Sequence, residues 1–231
     1  MTVDSARHRP IRSFVRREGR LTAAQARALE TLWPRFGVDW QPHTALDPQR
    51  LFAADKPLYL EIGFGNGEQL IHLAQSNPEQ HYLGLEVHRP GVGQLLLALE
   101  REQLHNVRVL CADAMLVLEQ GLPAQSLAGV YLLFPDPWSK KRHHKRRIVQ
   151  PPLVQHLARC VQPGGFVHLA TDWEPYAAQM LAVFEAAAPL FVNQAGAGQF
   201  SPRPPERILT RFERRGERLG HQVHDLRLIR C

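Results

Sequence analysis

Leu58-Tyr59-Leu60-Glu61-Ile62-Gly63-Phe64-Gly65-Asn66-Gly67-Glu68 is the stretch whose reading decides the fold. Leu58–Ile62 is a short apolar run bounded by turn residues, as expected of a strand covered on both faces. Glycines follow at alternate positions, Gly63, Gly65 and Gly67, where a sharp turn or a close ligand excludes a Cβ. From Glu68 the pattern becomes helical as far as Ser76. A strand, a glycine turn and a helix form the opening unit of a doubly wound α/β sheet, whose ligands bind beyond the carboxyl ends of the strands. The spacing is Gly-x-Gly-x-Gly, not the Gly-x-Gly-x-x-Gly of dinucleotide sites, so the loop alone does not identify its ligand.

The alternation continues on both sides of this unit. Further strands are expected at Tyr82–Glu86, Val107–Cys111, Gly129–Phe134 and Phe166–Thr171, with helices at Gly91–Leu104, Ala114–Gln120 and Pro152–Val161 between them. After Thr171 come a helix over Glu174–Ala187, a short strand at Leu190–Asn193 and a Gly- and Pro-rich loop from Ala195 to Pro205. A polar helical stretch (Glu206–Leu219) and a last strand around Val223–Ile229 follow. Upstream, Thr22 and Gln25 make a capping box for a helix that carries Leu29, Leu32, Trp33 and Phe36 on one face and stops at Gly37. Residues 38–56 read as a connecting loop. The organisation expected is a flexible basic arm (1–20) followed by one α/β domain (21–231), of which 21–56 is the helix and linker. Its sheet is open and mostly parallel, with helices on both faces.

Three carboxylates surround the glycine loop: Glu61 before it, Glu86 closing the second strand, and Asp113 just past the third. Together they would repel a pyrophosphate. They suit a ligand with ribose hydroxyls, an adenine amine, an ammonium and a sulfonium, which describes S-adenosylmethionine. Glu86 then accepts from the ribose hydroxyls, Asp113 reaches the adenine amine, and Glu61 holds the methionyl ammonium, directly or through water. Gly63, Gly65 and Gly67 pack against the ligand.

The fourth strand runs into Phe134-Pro135-Asp136-Pro137-Trp138-Ser139-Lys140-Lys141-Arg142-His143-His144-Lys145-Arg146-Arg147. Pro135 and Pro137 have fixed φ and no N–H, so they stop the strand and clamp Asp136 at its exit. Residues 140–147 carry a net +6 and residues 1–20 a net +4, while the whole chain carries +6, so the remaining body is mildly acidic. Charge segregated in this way is the footprint of a binder of phosphate backbones. Lys140, nearest Asp136, is the cation expected to have a specific role; Lys145 to Arg147 are read as generic. Trp138 either stacks on a base or packs. His143 and His144 have no third ligand at metal spacing, so no metal is expected. The three cysteines form no Cys-x-x-Cys pair, which fits a reducing compartment, and Cys111 and Cys160 are expected in the core. No apolar run approaches the ~20 residues of a membrane span.

With these segments the chain resembles the bacterial tRNA (guanine-N7-)-methyltransferases of the TrmB type. The resemblance runs from Ile11-Arg12-Ser13-Phe14-Val15-Arg16-Arg17, through the glycine loop, Gly84-Leu85-Glu86-Val87-His88 and Phe134–His143, to Thr171-Asp172-Trp173 and Thr210-Arg211-Phe212-Glu213. It implies a class I methyltransferase, Rossmann-like fold of seven strands with the last antiparallel. It implies cofactor contacts at Glu61, Glu86, Asp113 and Asp136, catalysis at Asp136, and RNA contacts at Lys140, Asp172, Thr210, Arg211, Phe212 and Glu213. The activity implied is methyl transfer from S-adenosylmethionine to N7 of a variable-loop guanosine (position 46) in tRNA, by a cytoplasmic monomer without a partner subunit. Three rivals remain at this point. An adenine amino-methyltransferase uses an Asp-Pro-Pro-Tyr-like loop, to which Pro135-Asp136-Pro137-Trp138 is a near relative. A nicotinamide oxidoreductase would want the longer glycine spacing. A catalytically silent RNA-binding module would not need the acidic set.

Overall fold

Strands β1 (Leu58–Ile62), β2 (His81–Leu85), β3 (Val107–Leu110), β4 (Leu127–Leu133), β5 (Val161–Thr171), β6 (Phe191–Asn193) and β7 (His224–Arg230) make one seven-stranded sheet in the computed structural model. The order is β3-β2-β1-β4-β5-β7-β6. Strands β1 to β5 pair in parallel, and β7 lies antiparallel between β5 and β6. The structure describes residues 12–15, 19–52, 54–210, 213–214, 216 and 220–231. Most of the basic arm, and Arg211 and Phe212, lie outside the described residues.

The helices are α1 (Ala23–Thr31), α2 (Trp33–Phe36), α3 (Pro48–Leu51), α4 (Glu68–Ser76), α5 (Arg89–Arg101), α6 (Ala114–Leu116), α7 (Pro151–Cys160) and α8 (Glu174–Glu185). Side chains alternate across the sheet, as the two-residue period of a strand requires. Leu60, Leu83 and Leu132 pack on one face against Val117, Leu153, Leu157 and Met180, which come from α6 and its extension, α7 and α8. Tyr82, Val109 and Tyr131 pack on the other against Leu70, Leu73, Leu95 and Leu99 of α4 and α5, with Ala28 of α1 and Phe36 of α2 beyond them. The capping box at Thr22 forms in both directions, Gln25 N–H donating to Thr22 Oγ1 and Thr22 N–H to Gln25 Oε1.

The departures from the sequence reading are local. Residues 38–56 hold the one-turn helix α3, and Gly37 and Val38 extend the sheet at the free edge of β3, where Val38 N–H donates to Val109 O at 2.9 Å. The helix expected at Ala114–Gln120 is α-helical only to Leu116 and continues as a π turn through Gly121. Glu206 and Arg207 sit in a turn and 208–210 are irregular, so the polar segment is not helical from Glu206; 213, 214 and 216 are. Cys160 is buried as expected, but Cys111 is exposed.

Candidate active site

The carboxyl ends of β1 to β4 open into a cleft of about 670 Å³, within the range of small-molecule sites. Gly63, Glu86, Asp136 and Lys140 line it, with Ala112 and Ala114 on either side of Asp113. Gly63 (φ 72°) and Gly65 (φ 57°) turn with left-handed backbone, and an added Cβ at either would meet nothing within 4 Å, which leaves a cradle open above the loop. Gly91 serves a different purpose. A Cβ there would fall 2.2 Å from Gly65 O, so α5 can approach the loop only through a glycine.

Glu61 ends buried beneath this loop, 4 % exposed. Its Oε2 has no hydrogen-bond partner, and burial, followed by the charge of Glu86, pushes its pKa up to about 8. A carboxylate in that position lacks a cation or a proton. The Glu86 carboxylate is fixed by backbone donors: Gly65 N–H to Oε2 at 2.9 Å, and Val87 and His88 N–H to Oε1 at 2.7 and 2.9 Å. Carboxylate oxygens offer about four acceptor sites between them, so acceptance toward the cleft remains. Asp113 caps α6, its Oδ1 accepting from Met115 N–H at 3.0 Å.

Asp136 stands exposed at the rim of the cleft, and no hydrogen bond or ion pair holds its carboxylate among the described residues. Its loop is strained at both ends: Phe134 (φ 51°) and Trp138 (φ 46°) are left-handed without being glycine, a conformation that costs about 1–3 kcal/mol per residue. Phe134 N–H donates to Ala170 O at 2.8 Å. Trp138 Nε1 donates to Ser13 O at 3.1 Å, and its ring lies edge-on to His143 and under the Arg146 guanidinium. Trp138 is thus engaged in packing. Lys140 is exposed beside the cleft and leads into a 3₁₀ turn, Lys141–Arg146. Arg147 departs from its expected generic role: it is buried, 3 % exposed, and its Nε donates to Pro137 O at 2.8 Å.

Glu61, Gly65, Gly67 and Asp113 adjoin the lining without being part of it, and the expected RNA-side residues Asp172, Thr210 and Glu213 lie outside it as well. Asp172, at the end of β5, does not cap α8; its Oδ2 is 3.1 Å from His221 Nδ1. Thr210 Oγ1 accepts from Glu213 N–H at 3.3 Å. The Glu213 carboxylate is buried and points inward, bonded to Arg207 Nη1 at 2.6 Å and Nη2 at 2.9 Å. Arg207 continues to Asp225, with Nη2 donating to Oδ2 at 2.9 Å and Nε 2.7 Å from Oδ1 in an ionic contact without hydrogen-bond alignment. Asp225 Oδ1 in turn bonds His168 Nε2 at 2.7 Å. Gln69 of α4 bonds Glu206 O and Ile208 N–H, which ties this segment to the helix that follows the glycine loop.

Sequence reasoning missed Arg207, His221 and the internal role of Arg147, since each reads as a surface residue. It also gave the arm no part in the pocket, and Ser13, Phe14 and Val15 line the cleft.

A family profile described as "Putative methyltransferase" matches residues 55–226. A tRNA (guanine-N(7)-)-methyltransferase of Alkalilimnicola ehrlichii is 60 % identical, over 94 % of this chain and 92 % of its own. The enzyme of the same description from Alcanivorax borkumensis is 55 % identical, over 94 % and 90 %. Among solved structures, the 16S rRNA methyltransferase KamB superposes with a TM-score of 0.57 at 15 % identity, covering 83 % of this chain and all of its own. The aminoglycoside resistance methyltransferase NpmB1 does so with 0.55 at 16 %, covering 83 % and 95 %. These two likenesses concern the fold.

Proposed function

The chain belongs to the tRNA (guanine-N7-)-methyltransferase family, and on that premise we propose that it methylates N7 of a variable-loop guanosine in tRNA, with S-adenosylmethionine as donor and Asp136 as catalytic residue. The observation that carries this reading is the pairing of an acidic, partly unsatisfied pocket with an unpaired carboxylate and a run of cations at its rim. The residues fit the donor. An orphaned buried Glu61 oxygen calls for a positive group, the open backbone at Gly63 and Gly65 leaves room for one, and carboxylates are the acceptors that hydroxyls and an ammonium require. Glu61, Gly63, Gly65, Gly67, Glu86 and Asp113 would hold it. Bound there, S-adenosylmethionine supplies an electrophilic methyl group on a sulfonium.

Guanine N7 already has an in-plane lone pair and no proton, so the protein needs no general base. It must supply alignment and a favourable field. The methylated purine is cationic, and Asp136 stabilises that charge as it develops. Lys140 and its exposed neighbours contact RNA phosphates and place the substrate. Asp172 and Thr210 to Glu213 complete the RNA-facing side in this proposal, with Glu213 acting from inside through Arg207. The enzyme works as a cytoplasmic monomer without a partner subunit, and no described helix is long and apolar enough to cross a membrane. The adenine amino-group alternative is not favoured: the relatives above are named for guanine N7.

The test is to incubate unmodified tRNA with labelled S-adenosylmethionine and map the product by mass spectrometry. The expected product is N7-methylguanosine in the variable loop. Label on an adenine amino group, or none on tRNA, overturns the proposal.

A further inference from the structure

We infer that Arg147 is a positioning residue for Asp136 and not one of the cations that receive RNA; the inference rests on the catalytic reading of Asp136. By sequence Arg147 is the last member of a basic run. In the fold its guanidinium is inside the protein. Nε donates to Pro137 O at 2.8 Å and Nη1 to Gln179 Oε1 at 2.6 Å, while Nη2 lies 3.2 Å from His144 Nε2. The guanidinium carbon sits 4.7 Å from the centre of the Tyr176 ring. Gln179 and Tyr176 belong to α8 and are themselves tied to the chain that follows Arg147, Gln179 Nε2 donating to Val149 O and Tyr176 Oη accepting from Val149 N–H. A continuous set of bonds therefore runs from α8 to the residue after Asp136.

The loop needs such a brace. Pro135 and Pro137 have no N–H, so Asp136 carries the only backbone donor of the three. The flanking Phe134 and Trp138 are left-handed. Backbone of this kind persists only where its surroundings over-determine it. The Pro137 carbonyl is an acceptor within the loop, and Arg147 supplies its donor. A lysine could reach that carbonyl with a point charge, but not the carbonyl and Gln179 together, because only the guanidinium presents a rigid fork.

The experiment uses the full-length protein with a tRNA transcript and labelled S-adenosylmethionine. It compares Arg147→Met and Arg147→Lys with the exposed neighbour variant Lys145→Ala. The expected result for Arg147→Met is a kcat lower by about 10- to 100-fold at saturating tRNA, with tRNA Kd and its salt slope unchanged. Arg147→Lys recovers part of the rate. Lys145→Ala weakens tRNA binding and lowers the slope of log K against log salt by about 0.7–0.9. Should Arg147→Met instead show that loss of slope with kcat intact, Arg147 is a phosphate contact and the inference is wrong. If Arg147→Met does not fold, Arg147→Lys and Gln179→Leu decide by the same split: a lower kcat at unchanged tRNA affinity supports it, and wild-type kcat in both overturns it. Asp136→Asn, run in parallel, separates the two readings. If it loses turnover and Arg147→Met does not, only the positioning role fails. If Asp136→Asn turns over normally, the catalytic reading fails and the inference falls with it.

Discussion

At the scale of single residues, Glu61 has the most specific consequence. Folded, it keeps its proton up to about pH 8; its ordinary value is 4.5. Between those values the folded protein binds more protons than the unfolded chain, so stability falls as pH rises through that window. A positively charged ligand against Oε2 favours the ionised form. Cofactor binding therefore releases a proton, and affinity increases with pH over the same window by up to about tenfold per unit. Calorimetric titration in buffers of different ionisation enthalpy reads the released proton directly; a Kd flat across the window contradicts the linkage. Glu61→Gln should flatten the pH dependence of melting and weaken cofactor binding together. The acidic residues Glu61 and Glu86 were legible in the sequence because a carboxylate at a strand exit beside a glycine turn has few structural uses. Arg147 and Glu213 were not, because a sequence does not distinguish a solvated charge from a buried one whose partner lies elsewhere in the chain.

Among the elements, the parallel strands β1 to β4 were readable as short apolar runs because helices cover both of their faces. The segment after β6 was not, because it is held by long-range polar bonds and not by periodic burial. Arg207 draws the turn at 205–207, Glu213, Asp225 of β7 and His168 of β5 into one buried cluster. Removing the guanidinium leaves two carboxylates buried without their cation. Arg207→Met should destabilise the protein by about 3–5 kcal/mol in urea unfolding, with part of the loss recovered in the Arg207→Met, Glu213→Met double variant. Additive losses would mean that the two side chains do not act as a pair. At the glycine loop, Gly91→Ala places a methyl group 2.2 Å from Gly65 O. Overpacking of this kind costs about 1–3 kcal/mol. Because the glycine loop is what must give way, cofactor affinity should fall with stability; a variant that melts lower and binds normally shows that α5 moved instead.

For the molecule as a whole, the division of charge is the organising fact: Glu86 and Asp136 line a pocket beside the basic segment 140–146, and the proposed function assigns a cation to the first and a polyanion to the second. With Arg147 inside, the rim segment keeps Lys140, Lys141, Arg142, Lys145 and Arg146. Neutralising any one that contacts a phosphate should lower the salt slope of tRNA binding by about 0.7–0.9 and leave cofactor affinity untouched. A filter-binding series across salt concentrations measures this. Cofactor binding that weakens in step would mean that rim and pocket are one electrostatic unit. In the proposed mechanism the two sites meet at Asp136, which lines the cleft and whose carboxylate would stabilise the positive charge that develops on the purine. The most direct measurement is the single-turnover rate of methyl transfer by Asp136→Asn at saturating cofactor and tRNA. The rate should fall by about 100- to 1,000-fold with the tRNA dissociation constant unchanged; a rate equal to that of the wild type would contradict the role of the carboxylate.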